Sequence, residues 1–373
     1  METQVSVTEI SQVAEARRQV AALAKSEGFS ETLQGKAALV VTEAATNLVK
    51  YGGGAGYILA RPYAEPKAVG IEILSLDNGQ GMPCLADSVS DGYSTGGTLG
   101  LGLGSMSRQS ALFEVYTGVE RGTAILARVQ DEWRPWDKVS SRARVSGGFS
   151  AGAAQAGNEP VAPVGEDPVA GSQQAANRTL VASGVSTPKS GQDVCGDSWA
   201  CRWAGGALWT IIVDGLGHGP LAMLASQEAL RVFHAAGVSD SPYDVVRACH
   251  AALKSTRGAV MAVAVVRPML GTVDFAGVGN IAATLFQPDQ SRRLGSTDGT
   301  VGYSVRTIRE QSYPWTPDSM LVMHTDGLSA RWNLAGHPGL ASRHPSLVAA
   351  VLHRDFARNN DDATVVVVKD KGF

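Results

Sequence analysis

No histidine occurs before position 218 of this 373-residue chain; all seven lie in its second half. The first half therefore holds no histidine that could accept a phosphoryl group. Cysteine is scarce: Cys84, Cys195, Cys201 and Cys249 form no Cys-x-x-Cys pair, and no histidine lies near Cys195 or Cys201 in sequence. This argues against a disulfide framework and a zinc site, and the four read as reduced thiols. Long apolar runs are missing as well. The longest, "AVMAVAVV" (259–266), is too short to span a bilayer and stops at Arg267-Pro268. The opening "METQVSVTEI" lacks a basic n-region and an apolar h-region, so the expected location is the cytoplasm. A formal net charge of −3 gives no reason to expect nucleic acid or an acidic membrane as partner.

What is present describes a globular chain, 44% hydrophobic and 18% charged, and its length predicts two domains. Between them, residues 135–177 include "SGGFSAGAAQAGNEPVAPVGEDPVAGSQQAAN", rich in Gly, Ala, Pro and Ser and poor in large apolar residues. Such a stretch cannot bury enough surface to offset chain entropy and reads as a flexible linker. The domains expected are thus 1–134 and 178–373. In the first, apolar spacing predicts helices over 9–25 and 34–51 and strands over 55–63, 68–77, 112–118 and 123–129, an α/β layer with a mostly antiparallel sheet. In the second, strands are predicted at 207–213, 259–267, 271–277, 281–286, 319–324 and 363–369. Helices are predicted near 220–236, 242–256 and 345–357. Many strands with few helices suggest a β-sandwich flanked by helices.

Three fragments of the first half carry chemistry. In "VTEAATNLVKY" (41–51), Glu43 and Asn47 are four residues apart and share one helix face. In "LDNGQGM" (76–82), Asp77 closes an apolar strand ahead of Gly79 and Gly81. A carboxylate there can accept an exocyclic adenine amine, although the pattern also suits a tight turn. In "GGTLGLGLGSM" (96–106), glycines precede a helix start at Ser105, as in a backbone cradle for phosphate. A Gly-Thr step, Gly122-Thr123, precedes the last strand. In order and spacing these fragments resemble the ATP-binding domain of the GHKL superfamily over roughly residues 8–130, and most closely its small serine kinases of the anti-sigma-factor, RsbT/RsbW type. The missing histidine argues against a sensor histidine kinase. The resemblance implies a Bergerat-type α/β sandwich that binds ATP with Mg²⁺. Asn47 would help hold the Mg²⁺, Asp77 would bind adenine, and Gly79, Gly81, Gly100, Gly102, Gly104 and Thr123 would line the nucleotide. Glu43 would orient or deprotonate a serine hydroxyl of a partner protein.

In the second half, "VDGLGHGPLA" (213–222) follows the apolar run "ALWTII" and sets three glycines around Leu216 and His218. Asp214 has counterparts: Asp197 in "CGDSW", Asp326 in "MHTDGLS", and Asp361-Asp362 before "ATVVVV". Carboxylates at strand ends would repel one another if gathered without a cation, and Mg²⁺ or Mn²⁺ would relieve the conflict. Individually, Asp-Gly turns and a solvated "NDDAT" loop explain these residues equally well. Taken together, G-D-S-W, V-D-G-L-G-H-G, G-V-G-N (277–280), T-D-G-L and D-D-A-T-V-V-V-V resemble the metal-dependent serine/threonine phosphatases of type 2C, and more closely their bacterial SpoIIE/RsbX branch. That resemblance implies an αββα sandwich with two Mn²⁺ or Mg²⁺ ions. Asp214 would bridge them, the Gly215 carbonyl would be a ligand, Asp197 would act on the first ion, and Asp326 and Asp361 would hold the second. The metal-bound water would be the nucleophile. His218 reads as a turn histidine. Lys189 and Arg202 are candidates for a phosphate-binding cation.

The combined reading is a partner-switching regulator whose phosphoprotein partner is a STAS-type, anti-anti-sigma or stressosome-like protein. A homodimer through the ATP-binding domain is plausible on the resemblance. Three versions stay open: a kinase opposed by its own phosphatase, a phosphatase with a non-catalytic nucleotide-sensing or partner-binding module, and a sequestering protein with a vestigial second half.

Overall fold

The computed structural model of the chain describes residues 2–65, 68–82, 102–131 and 180–370. It divides into two compact units, Met1–Phe149 with Asn333–Asp355, and Ser150–Trp332 with Phe356–Phe373. The expected linker over 135–177 and the thiol of Cys84 lie outside the described residues.

The first unit runs β1 (Thr3–Ser6), α1 (Ile10–Ser26), α2 (Glu31–Tyr51), β2 (Gly56–Glu65), β3 (Ala68–Asp77), α3 (Gly102–Gln109), β4 (Leu112–Thr117) and β5 (Thr123–Gln130). The strands form an antiparallel sheet in the order β1-β2-β3-β5-β4. Helix α2 starts at Ser30, whose Oγ accepts the Leu33 N–H, and ends at Gly52. Because strand side chains alternate, Ile58, Ala60, Ile71, Ile73, Ile125 and Ala127 share one face. They form a single core with Val20 and Leu23 of α1 and with Val40, Val41 and Ala44 of α2. The opposite face is also buried. It carries Leu59, Leu74 and Leu126, together with a charged ladder in which Glu72 pairs in register with Arg61 on one side and Arg128 on the other.

The second unit holds β6 (Leu180–Thr187), β7 (Asp197–Ala204), β8 (Ala207–Gly215), α4 (Pro220–Ala235), α5 (Pro242–Ala252), β9 (Ala259–Arg267), β10 (Thr272–Val278), β11 (Ala282–Gln287), β12 (Gln290–Leu294), β13 (Gly299–Thr300), β14 (Ser304–Val305), β15 (Glu310–Pro314), β16 (Met320–His324) and β17 (Ala363–Asp370). Two five-stranded sheets, β15-β10-β9-β8-β7 and β12-β11-β16-β17-β6, are both antiparallel. Leu208, Ile212, Ala262 and Ala264 of the first sheet meet Leu285, Leu321, Met323 and Val366 of the second in one core. The alternate residues Trp209, Ile211, Val263 and Val265 pack on Phe233 of α4 and Val246 and Cys249 of α5. This explains why β8 and β9 read as unbroken apolar runs: both of their faces are covered. The sandwich expected from the strand count is the fold observed. The predicted helix near 242–256 stops at Ala252 and tightens into a 3₁₀ turn over Leu253–Ser255.

The remaining helix, α6 (Pro345–Phe356), lies almost wholly in the segment that belongs to the first unit. There Ser346 Oγ donates to Glu72 Oε2 at 2.8 Å, and the Arg354 guanidinium donates to the carbonyls of Asp77 at 2.9 Å and Arg121 at 3.0 Å. Among the described residues, no helix is long and apolar enough to cross a membrane.

Candidate functional site

In the first unit, Glu43 and Asn47 stand half-buried on α2, and the start of α3 closes against them. A Cβ on Gly102 would sit 3.2 Å from Glu43 Oε2 and 3.7 Å from the Asn47 amide, so a side chain there would crowd both groups. Gly104 is buried in α3, and Gly100 lies outside the described residues.

Asp77 ends β3 and is held from two sides. Its Oδ1 accepts the Gly79 N–H at 2.9 Å and the Thr123 N–H at 3.0 Å. Oδ2 has no protein partner among the described residues, which leaves an acceptor for a ligand donor. Burial raises the Asp77 carboxyl above its ordinary value, and the two backbone N–H groups partly counter this. Gly81 sits in a left-handed turn against the Gly118 carbonyl. Thr123 Oγ1 pairs with Thr117 Oγ1 at 3.2 Å. The structure thus groups the expected nucleotide residues into a Glu43–Asn47–Gly102 cluster and an Asp77–Gly79–Thr123 cluster.

In the second unit the expected aspartates gather at one edge of the sandwich. Asp197 begins β7 and Asp214 lies near the end of β8, directly opposite it in the ladder. Asp326 follows β16 and Asp361 precedes β17, so the second sheet contributes from the same edge. Asp197 is 4% exposed, and its carboxyl is pushed up to about 7, mainly by burial and also by Asp362 and Asp361. Asp214 is pushed up to about 8, again first by burial and then by Asp197, Asp326, Asp361 and Asp362. Asp326 is raised by burial and by Asp361, with Arg358 opposing. Crowded carboxylates of this kind fit hard divalent cations. Among the described residues no three His, Cys, Asp or Glu side chains are already gathered as a metal-ligand group.

Other residues hold this edge in place. Thr325 Oγ1 donates to Asp197 Oδ2 at 2.7 Å and itself accepts the Thr364 N–H at 3.0 Å. Asn280 Nδ2 donates to Asp326 Oδ2 at 2.8 Å, so the G-V-G-N turn lies beside the site. Both oxygens of the buried Asp362 are taken by backbone: Oδ1 accepts from Lys189 N at 2.7 Å and Oδ2 from Gly196 N at 2.9 Å. Asp361 Oδ1 accepts the Asp362 N–H at 3.0 Å, which leaves its Oδ2 to face a ligand. Thr325, Thr364 and Asn280 escape sequence reasoning except as neighbours of the motif acids.

The glycines after Asp214 have separate reasons. A Cβ on Gly215 would meet the Ala222 carbonyl at 2.1 Å, because the first turn of α4 folds back onto the strand end. Gly217 and Gly219 adopt φ of 89° and 75°, where side chains are strained. His218 between them is exposed. Arg202 is not a phosphate ligand. It lies five residues along β7 from Asp197, about 17 Å, with its guanidinium 5.0 Å from the Trp209 ring centre and 5.3 Å from that of Phe233. Lys189 stays near the site through its backbone bond to Asp362.

The geometry defines a sheet-and-helix unit with a buried strand-end carboxylate, Asp77, and a sandwich with an acidic edge suited to divalent cations. Residues 7–129 match the family model of the histidine kinase-like ATPase domain, and residues 204–370 match that of stage II sporulation protein E, SpoIIE. The serine/threonine-protein kinase RsbT of Bacillus subtilis (strain 168) is 32% identical over 105 residues, which are 28% of this chain and 78% of RsbT. The phosphoserine phosphatase RsbX of the same organism is 25% identical over 142 residues, 38% of this chain and 71% of RsbX. A crystal structure of RsbX in complex with magnesium aligns with a TM-score of 0.46 at 20% identity, over 52% of this chain and 96% of that one. The chain belongs to the histidine kinase-like ATPase family through its N-terminal part, and the region behind it matches the SpoIIE family model.

Proposed function

We propose that this chain is a cytoplasmic partner-switching regulator that removes phosphate from, and adds phosphate to, serine or threonine of a STAS-type protein. Residues 178–373 would act as the phosphatase and residues 1–134 as the ATP-binding, kinase-like domain. The observation that carries the phosphatase reading is the four-aspartate edge, where Asp197 and Asp214 are raised by burial and by their acidic neighbours. Asp197, Asp214, Asp326 and Asp361, with the Gly215 carbonyl, would hold Mn²⁺ or Mg²⁺. Bound there, such cations supply an acidified water and neutralise phosphate charge. The chain's own part is to hold Asp197 through Thr325, to keep Asp326 oriented through Asn280, and to fix the Asp361 loop through Asp362.

On the N-terminal side, the free Oδ2 of Asp77 would accept the adenine amine. Asn47 would hold Mg²⁺, and Glu43 would take the proton of the acceptor hydroxyl while Gly102 keeps the approach open. Phosphoryl transfer depends chiefly on such positioning and charge neutralisation. The likeness to a serine/threonine kinase, RsbT, supports transfer rather than binding alone. One observation favours a nucleotide-sensing role in addition: Arg354, far along the chain, grips the carbonyl of Asp77 from within the first unit.

The test uses Asp214→Asn protein with labelled ATP, Mg²⁺ and a STAS-domain acceptor, so that the phosphatase cannot erase the product. Label on a serine or threonine of the acceptor that disappears with Glu43→Ala establishes the kinase. ATP binding without label leaves a sensing module. Metal-dependent release of phosphate from the labelled acceptor by unmodified protein, absent in Asp214→Asn, establishes the phosphatase.

A further inference from the structure

Next to the acidic edge lies an apolar surface that the chemistry above does not use. Leu216, in the glycine turn after Asp214, is 39% exposed, and Leu221 and Leu224 on α4 are 52% and 54% exposed. Leu221 and Leu224 are three residues apart, so they stand on one flank of the helix. Their neighbours Ala222 and Ala225 are fully buried, so the exposed leucines are not part of the helix's core stripe.

A cation stands beside this surface. The turn carrying Leu216 is tied to the loop before β9, where the Leu216 N–H donates to the Gly258 carbonyl at 3.0 Å. Arg257, the residue before that glycine, is exposed, and its Nη1 lies 3.0 Å from where a Cβ of Gly217 would be. Its side chain has no hydrogen bond, ion pair or ring contact among the described residues. The ladder places it close to the acids, since Asp214 pairs with Val260 and Gly215 with Ala259. A lone guanidinium next to an acidic, cation-binding edge is complementary to a phosphate dianion bridging the two.

We propose that Leu216, Leu221 and Leu224, with Arg257, form the docking face for the phosphorylated segment of the partner protein, a segment with apolar residues flanking its phosphoserine or phosphothreonine. This rests on the phosphatase reading above. Arg257 receives the phosphate as it approaches Asp214, and the leucines receive the flanking side chains. No group is transferred in docking. Selection therefore acts on affinity for the segment, while hydrolysis depends on the acidic edge.

Two synthetic phosphoserine peptides of equal charge test it, one with leucines and one with serines flanking the phosphoserine. Their binding to the full chain with Mn²⁺ is followed by fluorescence anisotropy, and their hydrolysis by phosphate release. The leucine-flanked peptide should bind at least about fivefold more tightly. Leu221→Asp with Leu224→Asp should remove that preference while p-nitrophenyl phosphate turnover stays within about twofold. Arg257→Ala should weaken both peptides about tenfold or more, with Arg257→Lys recovering part of the loss. An unchanged melting temperature shows that each variant is folded. Equal binding of the two peptides, or a preference that survives the leucine substitutions, overturns the docking inference. Preferential binding without hydrolysis by the unmodified chain supports the docking face and overturns the phosphatase reading alone.

Discussion

Asp197 and Asp214 face each other across β7 and β8 as a directly paired couple, in a sheet whose other strands come from distant parts of the chain. Two carboxylates so placed conflict unless a cation or a proton lies between them. Thr325, donating to Asp197 Oδ2, fixes one member of the couple. Asp214→Asn is expected to lower metal-dependent phosphatase kcat at least about a hundredfold with little change in melting temperature. Thr325→Ala is expected to weaken Mn²⁺ binding about ten- to a hundredfold, read by calorimetric titration. Equal metal affinity in the Thr325 variant would remove it from the site.

Asp361 and Asp362 should behave oppositely. Replacing Asp362 with Ala strips partners from the N–H groups of Lys189 and Gly196 and should destabilise the second unit by about 2–4 kcal/mol. Asp361→Asn should leave urea unfolding nearly unchanged and abolish phosphate release. The two measurements together decide which acid serves the fold and which the cation.

In the first unit, Glu43→Gln should abolish labelling of an acceptor and leave ATP affinity within about threefold, because the proposed role of Glu43 is toward the hydroxyl and not the base. Asp77→Ala should reduce ATP binding at least about tenfold, since it removes the acceptor and the group that organises Gly79 and Thr123. Equilibrium binding of a fluorescent ATP analogue separates the two outcomes.

Glu72 predicts an acid-sensitive first unit. Burial alone would raise its carboxyl, but the guanidiniums of Arg61 and Arg128 outweigh that, aided by His344 and by the Ser346 hydroxyl, and hold it well below the usual range. Glu2 and Glu65 are the other acids on these arginines. A carboxyl whose pKa is lower folded than unfolded contributes stability that is complete above the unfolded value and disappears as pH falls. The urea midpoint should therefore drop from about pH 5 downward. Glu72→Gln should flatten that slope and cost about 3–5 kcal/mol at neutral pH by removing the carboxylate that two buried guanidiniums share.

Most elements were legible from spacing alone. Helices α1, α2, α4 and α6 and strands β2, β3, β8, β9 and β17 fall within a few residues of their predicted spans, because a packed face imprints its 3.6 or 2.0 period on the chain. The strands that escaped prediction include β1, β6, β7, β12 and β15, and every one of these five is a sheet edge. Edge strands are paired on one side only and tolerate polar residues, as "QSRRL" of β12 and "EQSYP" of β15 do, so they carry little period to read.

By itself the sequence determined the two families, the motif acids Asp77, Asp197, Asp214, Asp326 and Asp361, and the Glu43–Asn47 helix face. These are local patterns, set by residue type and spacing within a few turns or one strand end. Tertiary structure alone decided the rest. It spent Asp362 on backbone caps, moved Arg202 to an aromatic shelf, brought Arg257 to the glycine turn, and enlisted Thr325 and Asn280. It also packed Ala222 so tightly against Gly215 that only a glycine fits. Such partnerships depend on the register between strands far apart in the chain, and no local period encodes which side chains that register will bring face to face.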